Sequence, residues 1–344
     1  LGLASEGICQ ANKNLQNEKK CEIKIIGKSY GDSIVLRFAP SIALAWKQSF
    51  RTGYIIQRKK VDLNNTNSKE NFVSLPNMPI RAWTLEEMKL GLPKDNKFAA
   101  IAAQCLYGKE FKLNMQSGIN GTVTDKAVEL ESRYSFALFA ADNSPMVAEA
   151  IGSRFTDKSV KKGESYLYRI FRSSESASDY YRMDTAYFFI NVEKKSELSL
   201  PFDFKAEENE NLIELSWLKD TLYHTYSGYY IERSDNNGNS FQRRNKMPII
   251  SPKPFKAEKE DTRIFYYDSI PVNYKLYKYR IIGINAFGEE SQPSEILSVM
   301  GRDKTPPSSP QILEAKSWKT DKIMVKWKMP DKKDKDLNGF FIRR

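Results

Sequence analysis

Gly228-Tyr229-Tyr230-Ile231-Glu232-Arg233, followed by Tyr266-Tyr267-Asp268 and then Tyr277-Lys278-Tyr279-Arg280-Ile281, is the stretch whose reading decides the fold. These are short runs of aromatic and β-branched residues, the composition of strands. Just upstream, Leu212-Ile213-Glu214-Leu215-Ser216-Trp217 alternates apolar and polar residues with period two and ends on an aromatic. Such alternation puts one face of a strand on a core and the other in water.

The pattern recurs along the chain. Ser33-Ile34-Val35-Leu36-Arg37-Phe38 precedes Gly53-Tyr54-Ile55-Ile56-Gln57-Arg58. Lys322-Ile323-Met324-Val325-Lys326-Trp327 precedes Gly339-Phe340-Phe341-Ile342-Arg343-Arg344. The first copy also repeats the later pair of strands, as Phe155-Thr156-Asp157 and Tyr166-Leu167-Tyr168-Arg169-Ile170. The interval from Asp157 to Tyr166 equals that from Asp268 to Tyr277. Matching residue types at matching spacing mark an internal repeat.

On these residues, and on Asn285-Ala286-Phe287-Gly288-Glu289-Glu290-Ser291-Gln292-Pro293-Ser294, residues 198–301 resemble a fibronectin type III module. The resemblance implies a seven-stranded antiparallel sandwich of about 100 residues. The fold class is therefore mainly β: tandem fibronectin type III (immunoglobulin-like) β-sandwiches, the first carrying a small α-helical insertion. It also implies that Tyr277 and Tyr166 are structural tyrosine-corner residues, each with a hydroxyl bonded to upstream backbone. In the second copy the strands are expected near 199–206, 211–218, 228–234, 239–247, 262–268, 275–286 and 292–299. Its expected core is Ile213, Leu215, Trp217, Tyr230, Phe265, Tyr279, Ile281 and Ile296.

The expected divisions are an N-terminal segment (1–20), a sandwich with a helical insert (21–197, insert about 79–152), a standard sandwich (198–302), and a linker with an incomplete third sandwich (303–344). The insert is visible as length: the interval from Arg58 to Tyr166 exceeds that from Arg233 to Tyr277 by about 64 residues. Within it Phe98, Ile101, Ala102, Cys105 and Leu106 form a helical stripe between Pro93 and Gly108. Further helices are expected over 125–141, over 145–151 behind Ser144 as N-cap and Pro145, over 81–90, and briefly within 40–50. Such an insert either covers a sheet edge or builds a binding face.

Composition limits the chemistry. The 344 residues contain one histidine, His224, and three cysteines, Cys9, Cys21 and Cys105. A Cys/His zinc site needs four clustered ligands, and Ser-His or Cys-His catalysis would have a single candidate base. No phosphate-binding glycine loop occurs. No catalytic residue, cofactor or metal is expected. No run of 18 apolar residues is present, so no transmembrane segment is expected. Cys105 lies on the helical stripe and reads as a buried apolar thiol; Cys9 and Cys21 are close enough to form a local disulfide loop. Lysine and arginine exceed the acids by 11, but the lysines are spread through every copy and interleaved with acids, so nucleic acid is not an expected partner.

The residues left as a candidate binding surface are Tyr223, His224 and Tyr226, in the loop before Gly228, together with Trp83 in the insert; tyrosine offers rigid amphipathic contact area. The apolar, small-residue start Leu1-Gly2-Leu3-Ala4-Ser5 fits either the end of a signal peptide or a chain boundary. The expected function is a non-catalytic bacterial protein, secreted or at the cell surface, meeting protein or glycan as an interaction, adhesion or assembly scaffold. Two alternatives are the accessory part of a larger secreted hydrolase and one chain of an envelope or secretion assembly.

Overall fold

Strands and helices follow one another in the order that the repeat and the insert require. The computed structural model describes residues 19–63, 70–109, 123–174, 180–195, 197–219, 225–250, 263–304, 306, 308–329 and 339–343. The first unit opens with β1 (Lys19–Cys21), β2 (Ile23–Ser29), β3 (Ile34–Pro40), helix α1 (Ala43–Ser49), β4 (Tyr54–Val61) and β5 (Val73–Ile80). Helices α2 (Leu85–Gly91), α3 (Lys97–Tyr107), α4 (Val123–Asp142) and α5 (Pro145–Ala150) come next. The unit closes with β6 (Arg154–Asp157), β7 (Ser165–Arg172), β8 (Tyr181–Met183) and β9 (Ala186–Asn191). One sheet has the order β2-β3-β6, the other β5-β4-β7-β9, and β1 pairs in parallel with β8.

The second unit contains β10 (Lys205–Asn209), β11 (Leu212–Leu218), β12 (Gly228–Ser234), β13 (Gln242–Arg243), β14 (Arg263–Ser269), β15 (Leu276–Ile284) and β16 (Leu297–Met300). Its sheets, β10-β11-β14 and β13-β12-β15-β16, repeat the three-plus-four arrangement of the first. The chain is thus mainly β, a tandem of antiparallel sandwiches, with helices inserted between β5 and β6. A hairpin of β17 (Gln311–Lys319) and β18 (Lys322–Lys328) follows, with Ile312, Trp318 and Ile323 exposed.

The core of the second sandwich holds Ile213, Leu215, Trp217, Tyr279 and Ile281, as expected, but three expected members face elsewhere. Ile264, not Phe265, points inward, because β14 pairs with β11 so that Ile264 lies opposite Trp217 and Phe265 opposite Ser216. A one-residue difference in register exchanges the two faces of a strand. Tyr229 likewise takes the core position, while Tyr230 is buried on the other face with Ile282 and Ile284. Ile296 precedes β16 and is exposed; Val299 packs inward instead. The strand expected over 292–299 starts late because Ser291 and Ser294 replace its first ladder rungs. Their amides donate to Gly283 O and Ile281 O, and their hydroxyls accept from the amides of the same two residues. The strand expected over 239–247 shrinks to β13.

Strand β3 departs from the alternation read in its sequence. Residues 34–38 are all buried, whereas in β11 burial alternates along the strand. Ile34, Leu36 and Phe38 face the sandwich core. Arg37, on the opposite face, is covered by the helical layer and by the second unit, as described below.

The spacing shared by the two copies has one physical basis. In the second sandwich the Asp268 carboxylate accepts from Arg233 Nη1 at 2.8 Å and from the Tyr279 hydroxyl at 2.8 Å, with Arg244 Nε at 3.1 Å. In the first, Asp157 accepts from Arg58 Nη1 at 2.6 Å and from the Tyr168 hydroxyl at 2.7 Å. Each arginine also lies over the neighbouring tyrosine ring, Arg233 at 5.1 Å from Tyr277 and Arg58 at 4.6 Å from Tyr166. Each buried carboxylate thus ties one sheet to the other. Burial raises the pKa of Asp157, but hydrogen bonds from Ser159 and Tyr168, with the charge of Arg58, outweigh it and hold the carboxyl below its ordinary value.

Removing one partner of a buried ion pair leaves the other charge uncompensated and costs about 3–5 kcal/mol. Asp268→Ala is therefore expected to lower unfolding stability by that order. Phe265→Ser, on the exposed face, is expected to change it by less than about 0.5 kcal/mol. Urea denaturation of the two variants checks the contrast.

Candidate interaction surfaces

Of the residues singled out for binding, Tyr223 and His224 lie outside the described residues. Tyr226 is half-buried: its ring centroid is 5.5 Å from that of Tyr229, and a Cβ on Gly283 would overlap it. That ring packs onto β15. Trp83 is also half-buried; its ring closes over Gly91, and its carbonyl accepts from the Tyr107 hydroxyl. It lines a cleft of about 610 Å³ with Arg81, Glu87, Glu149 and Arg154. The Tyr277 hydroxyl donates to Val272 O at 3.2 Å, five residues upstream. The Tyr166 hydroxyl donates to Glu164 and accepts from the Lys161 amide at 3.3 Å.

Cys9 falls outside the described residues. Cys21 is a free buried thiol in the sandwich core, 3.5 Å from Ser41 Oγ. Cys105 is buried in the helical layer, and that burial pushes its thiol up to about 11. Among the described residues no group of three His, Cys, Asp or Glu side chains is placed to hold a metal.

The helices form a layer with a core of its own, rich in alanine at Ala99, Ala102, Ala137, Ala140 and Ala148, with Trp46 and Phe98. Thr84 and Glu87 form a capping box at the start of α2. Asn96 caps α3 through the amides of Phe98 and Ala99, and its Nδ2 donates to Ser144 at the start of α5. Arg133 of α4 donates to the carbonyls of Gln104, Cys105 and Gly108 at the end of α3, where the helix leaves acceptors unpaired. A groove of about 540 Å³ opens beside Trp46, Phe50, Leu106 and Leu130, with Lys47 and Arg51 at its rim.

The helical layer and the first sandwich together receive a turn from the second. Asn285 builds that turn: its Oδ1 accepts from the amides of Phe287 and Glu289, each at 3.0 Å. Gly288 has φ +78°, and a Cβ there would lie 2.7 Å from Pro145 at the start of α5, so the position favours glycine twice over. Ala286 O accepts from Arg37, whose other donors reach Ser153 O, Ala141 O and the Asp142 carboxylate. Burial pushes Asp142 upward, and the adjacent Arg37 offsets only part of that shift. On the other side of the turn, Glu289 meets Lys28 Nζ at 2.5 Å and Lys195 Nζ at 2.9 Å, and burial together with its charge pushes the Tyr30 hydroxyl up. A further contact comes from Met247, packed against the helical core, with Lys246 O accepting from Lys97. These contacts form a joint in which groups far apart in sequence satisfy one another. Nothing in the local pattern around Lys28, Arg37 or Glu289 separates them from solvated charges.

No known protein family matches the chain, and no curated protein matches it in sequence. Many solved structures align with it, the following three among them. The FN1–FN3 domains of chicken CNTN1 are 12% identical with a TM-score of 0.29, covering 83% of this chain and 69% of that one. The chicken interferon gamma receptor alpha chain is 10% identical, TM-score 0.25, covering 81% and 96%. A two-domain fibronectin type III segment of chicken tenascin is 10% identical, TM-score 0.24, covering 83% and 99%. Likeness at this level carries no weight for partner or activity.

Burial raises the pKa of Glu289, but hydrogen bonds from Lys195, Lys28 and Asn285 prevail and bring it from 4.5 down to about 2. A carboxyl depressed in the folded state stabilises it above the unfolded value and loses that contribution as pH falls. The joint is therefore expected to hold above pH 4.5 and to weaken progressively toward pH 2. Calorimetry at pH 7 should show the two sandwiches unfolding in one transition. Acidification to pH 3, or Glu289→Gln at pH 7, should split it in two.

Proposed function

We propose that this chain is a non-catalytic interaction and assembly scaffold, in which two sandwiches and a helical layer form one rigid body that presents surfaces at fixed spacing. The joint around Arg37 and Glu289 is the observation that carries this reading. Its buried charges and turn fix the second sandwich against the first, where a mere tether would need only a flexible linker. The helical layer then has a structural task, covering the outer face of β3 and seating the turn, and its grooves remain open surface. Placement of the protein outside the cell rests on the resemblance of residues 198–301 to fibronectin type III modules. Its partners are then protein or glycan at the cell surface.

The reading as one chain of an envelope or secretion assembly has its own support in the β17–β18 hairpin. Ile312, Trp318 and Ile323 are each about two-thirds exposed, and Phe341 is almost fully so. Apolar exposure on that scale marks a surface that another element covers.

Incubated with a panel of polysaccharides and peptides, the chain is expected to release no new reducing ends and no new amino termini. Turnover of any substrate that disappears in a mapped point variant would contradict the scaffold reading.

A further inference from the structure

The two sandwiches share a strand plan but finish their four-stranded sheets differently. In the second, Glu232 on β12 lies opposite Arg280 on β15 and pairs with it at 2.6 Å; Arg243 flanks the same carboxylate and stacks on Tyr230 at 4.1 Å. That outer face is closed and neutralised. In the first sandwich the corresponding row is Gln57 opposite Arg169. Gln57 stands four residues after Gly53, as Glu232 does after Gly228, and Arg169 three after Tyr166, as Arg280 does after Tyr277. Both arginines stack on a phenylalanine, Arg169 on Phe72 at 4.1 Å and Arg280 on Phe241 at 4.0 Å. A neutral amide therefore replaces the carboxylate. Among the described residues neither Arg169 nor Lys59, which shares Phe72 at 5.4 Å, meets an acid. Tyr187, opposite Arg169 on β9, is 59% exposed, and Phe189 is 44% exposed.

The opposite charge stands on the three-stranded sheet of the second sandwich. Glu207 on β10 and Glu214 on β11 are directly opposite each other on the outer face. Like charges in that relation are destabilising, and no described cation pairs with either. Tyr267, opposite Glu214, is 57% exposed, and Phe265 beside it is 45% exposed. One face thus offers two cations that meet no described acid, Arg169 donating through Nε to the neutral Gln57 Oε1 at 2.6 Å, flanked by a tyrosine and a phenylalanine; the other offers two carboxylates that meet no described cation, flanked by the same pair of residue types.

We propose that the occupant of the first sandwich's open face is a second copy of this chain, which presents the Glu207–Glu214 face of its second sandwich. The carboxylates supply the negative charge that the Gln57 amide does not give Arg169, and Arg169 with Lys59 relieves the repulsion between the glutamates. The contact joins two different patches, so it is heterologous and propagates head to tail unless rotation closes it. It rests on the scaffold reading only in using the sandwiches as rigid presenters, and its failure would leave that reading intact.

Sedimentation velocity of the full chain tests it. The chain is expected to form species heavier than one copy, growing with concentration. Arg169→Glu and Glu214→Arg, each confirmed as folded by its thermal transition, should each weaken association roughly tenfold or more, and Lys59→Glu should do the same if Arg169→Glu proves unstable. The double variant carrying both Arg169→Glu and Glu214→Arg should regain it. A chain that stays monomeric at all concentrations overturns the proposal. So does association that survives the single reversals and is lost in Trp327→Ser, which would assign it to the β17–β18 hairpin.

Discussion

A carboxylate enclosed between two sheets is the constraint on which this structure depends. Asp157 and Asp268 are nearly inaccessible, so each must be matched by donors from neighbouring strands. An arginine of β4 or β12 supplies the charge, and a tyrosine of β7 or β15 supplies the second hydrogen bond. Those requirements fix which residues of three strands stand together, and therefore the register of both sheets. The first sandwich keeps this arrangement although the helical insert separates β5 from β6. The insert lengthens a connection without disturbing the groups that hold the sheets, which is how long insertions are tolerated.

The same economy of buried charge extends to the joint. Arg37 would be an outward-facing residue in an ordinary sandwich. Here it binds three backbone carbonyls and one carboxylate drawn from the helical layer and from the second sandwich. Glu289 performs the reciprocal role, gathering one lysine from the first unit and one from the linker after it. Because the Arg37 bond to Ala286 O and the lysine pairs of Glu289 form only when both units are in place, the sandwiches and the helical layer act as a single body. A rigid body with open sheet faces suits a protein that positions partners.

Much of this was legible in the sequence because spacing survives folding. The repeated Arg, Asp and Tyr positions announced two copies of one sandwich, and the Phe98–Cys105 stripe with its flanking Pro93 and Gly108 announced α3. Faces were harder. Tyr229-Tyr230 and Ile264-Phe265 are adjacent apolar pairs, and either member satisfies an alternating pattern; only pairing with β11 and β15 decides which turns inward. The joint was not legible at all. Lys28 and Glu289 are separated by most of the chain, and single charges on strand ends look the same whether water or a carboxylate completes them. The tyrosines of the 223–226 loop read as a binding surface, yet the one described tyrosine, Tyr226, packs against β15. The unpaired faces emerge only when Gln57 is set beside Glu232 in the matched position.

The claim that the two sandwiches form one rigid body is tested most directly by a distance measured across the joint. Nitroxide labels at Asn77 on β5 and Gln242 on β13, both exposed, report it by double electron–electron resonance. The account predicts a single narrow distance distribution at neutral pH. A broad distribution, spanning the range a flexible linker allows, would contradict it.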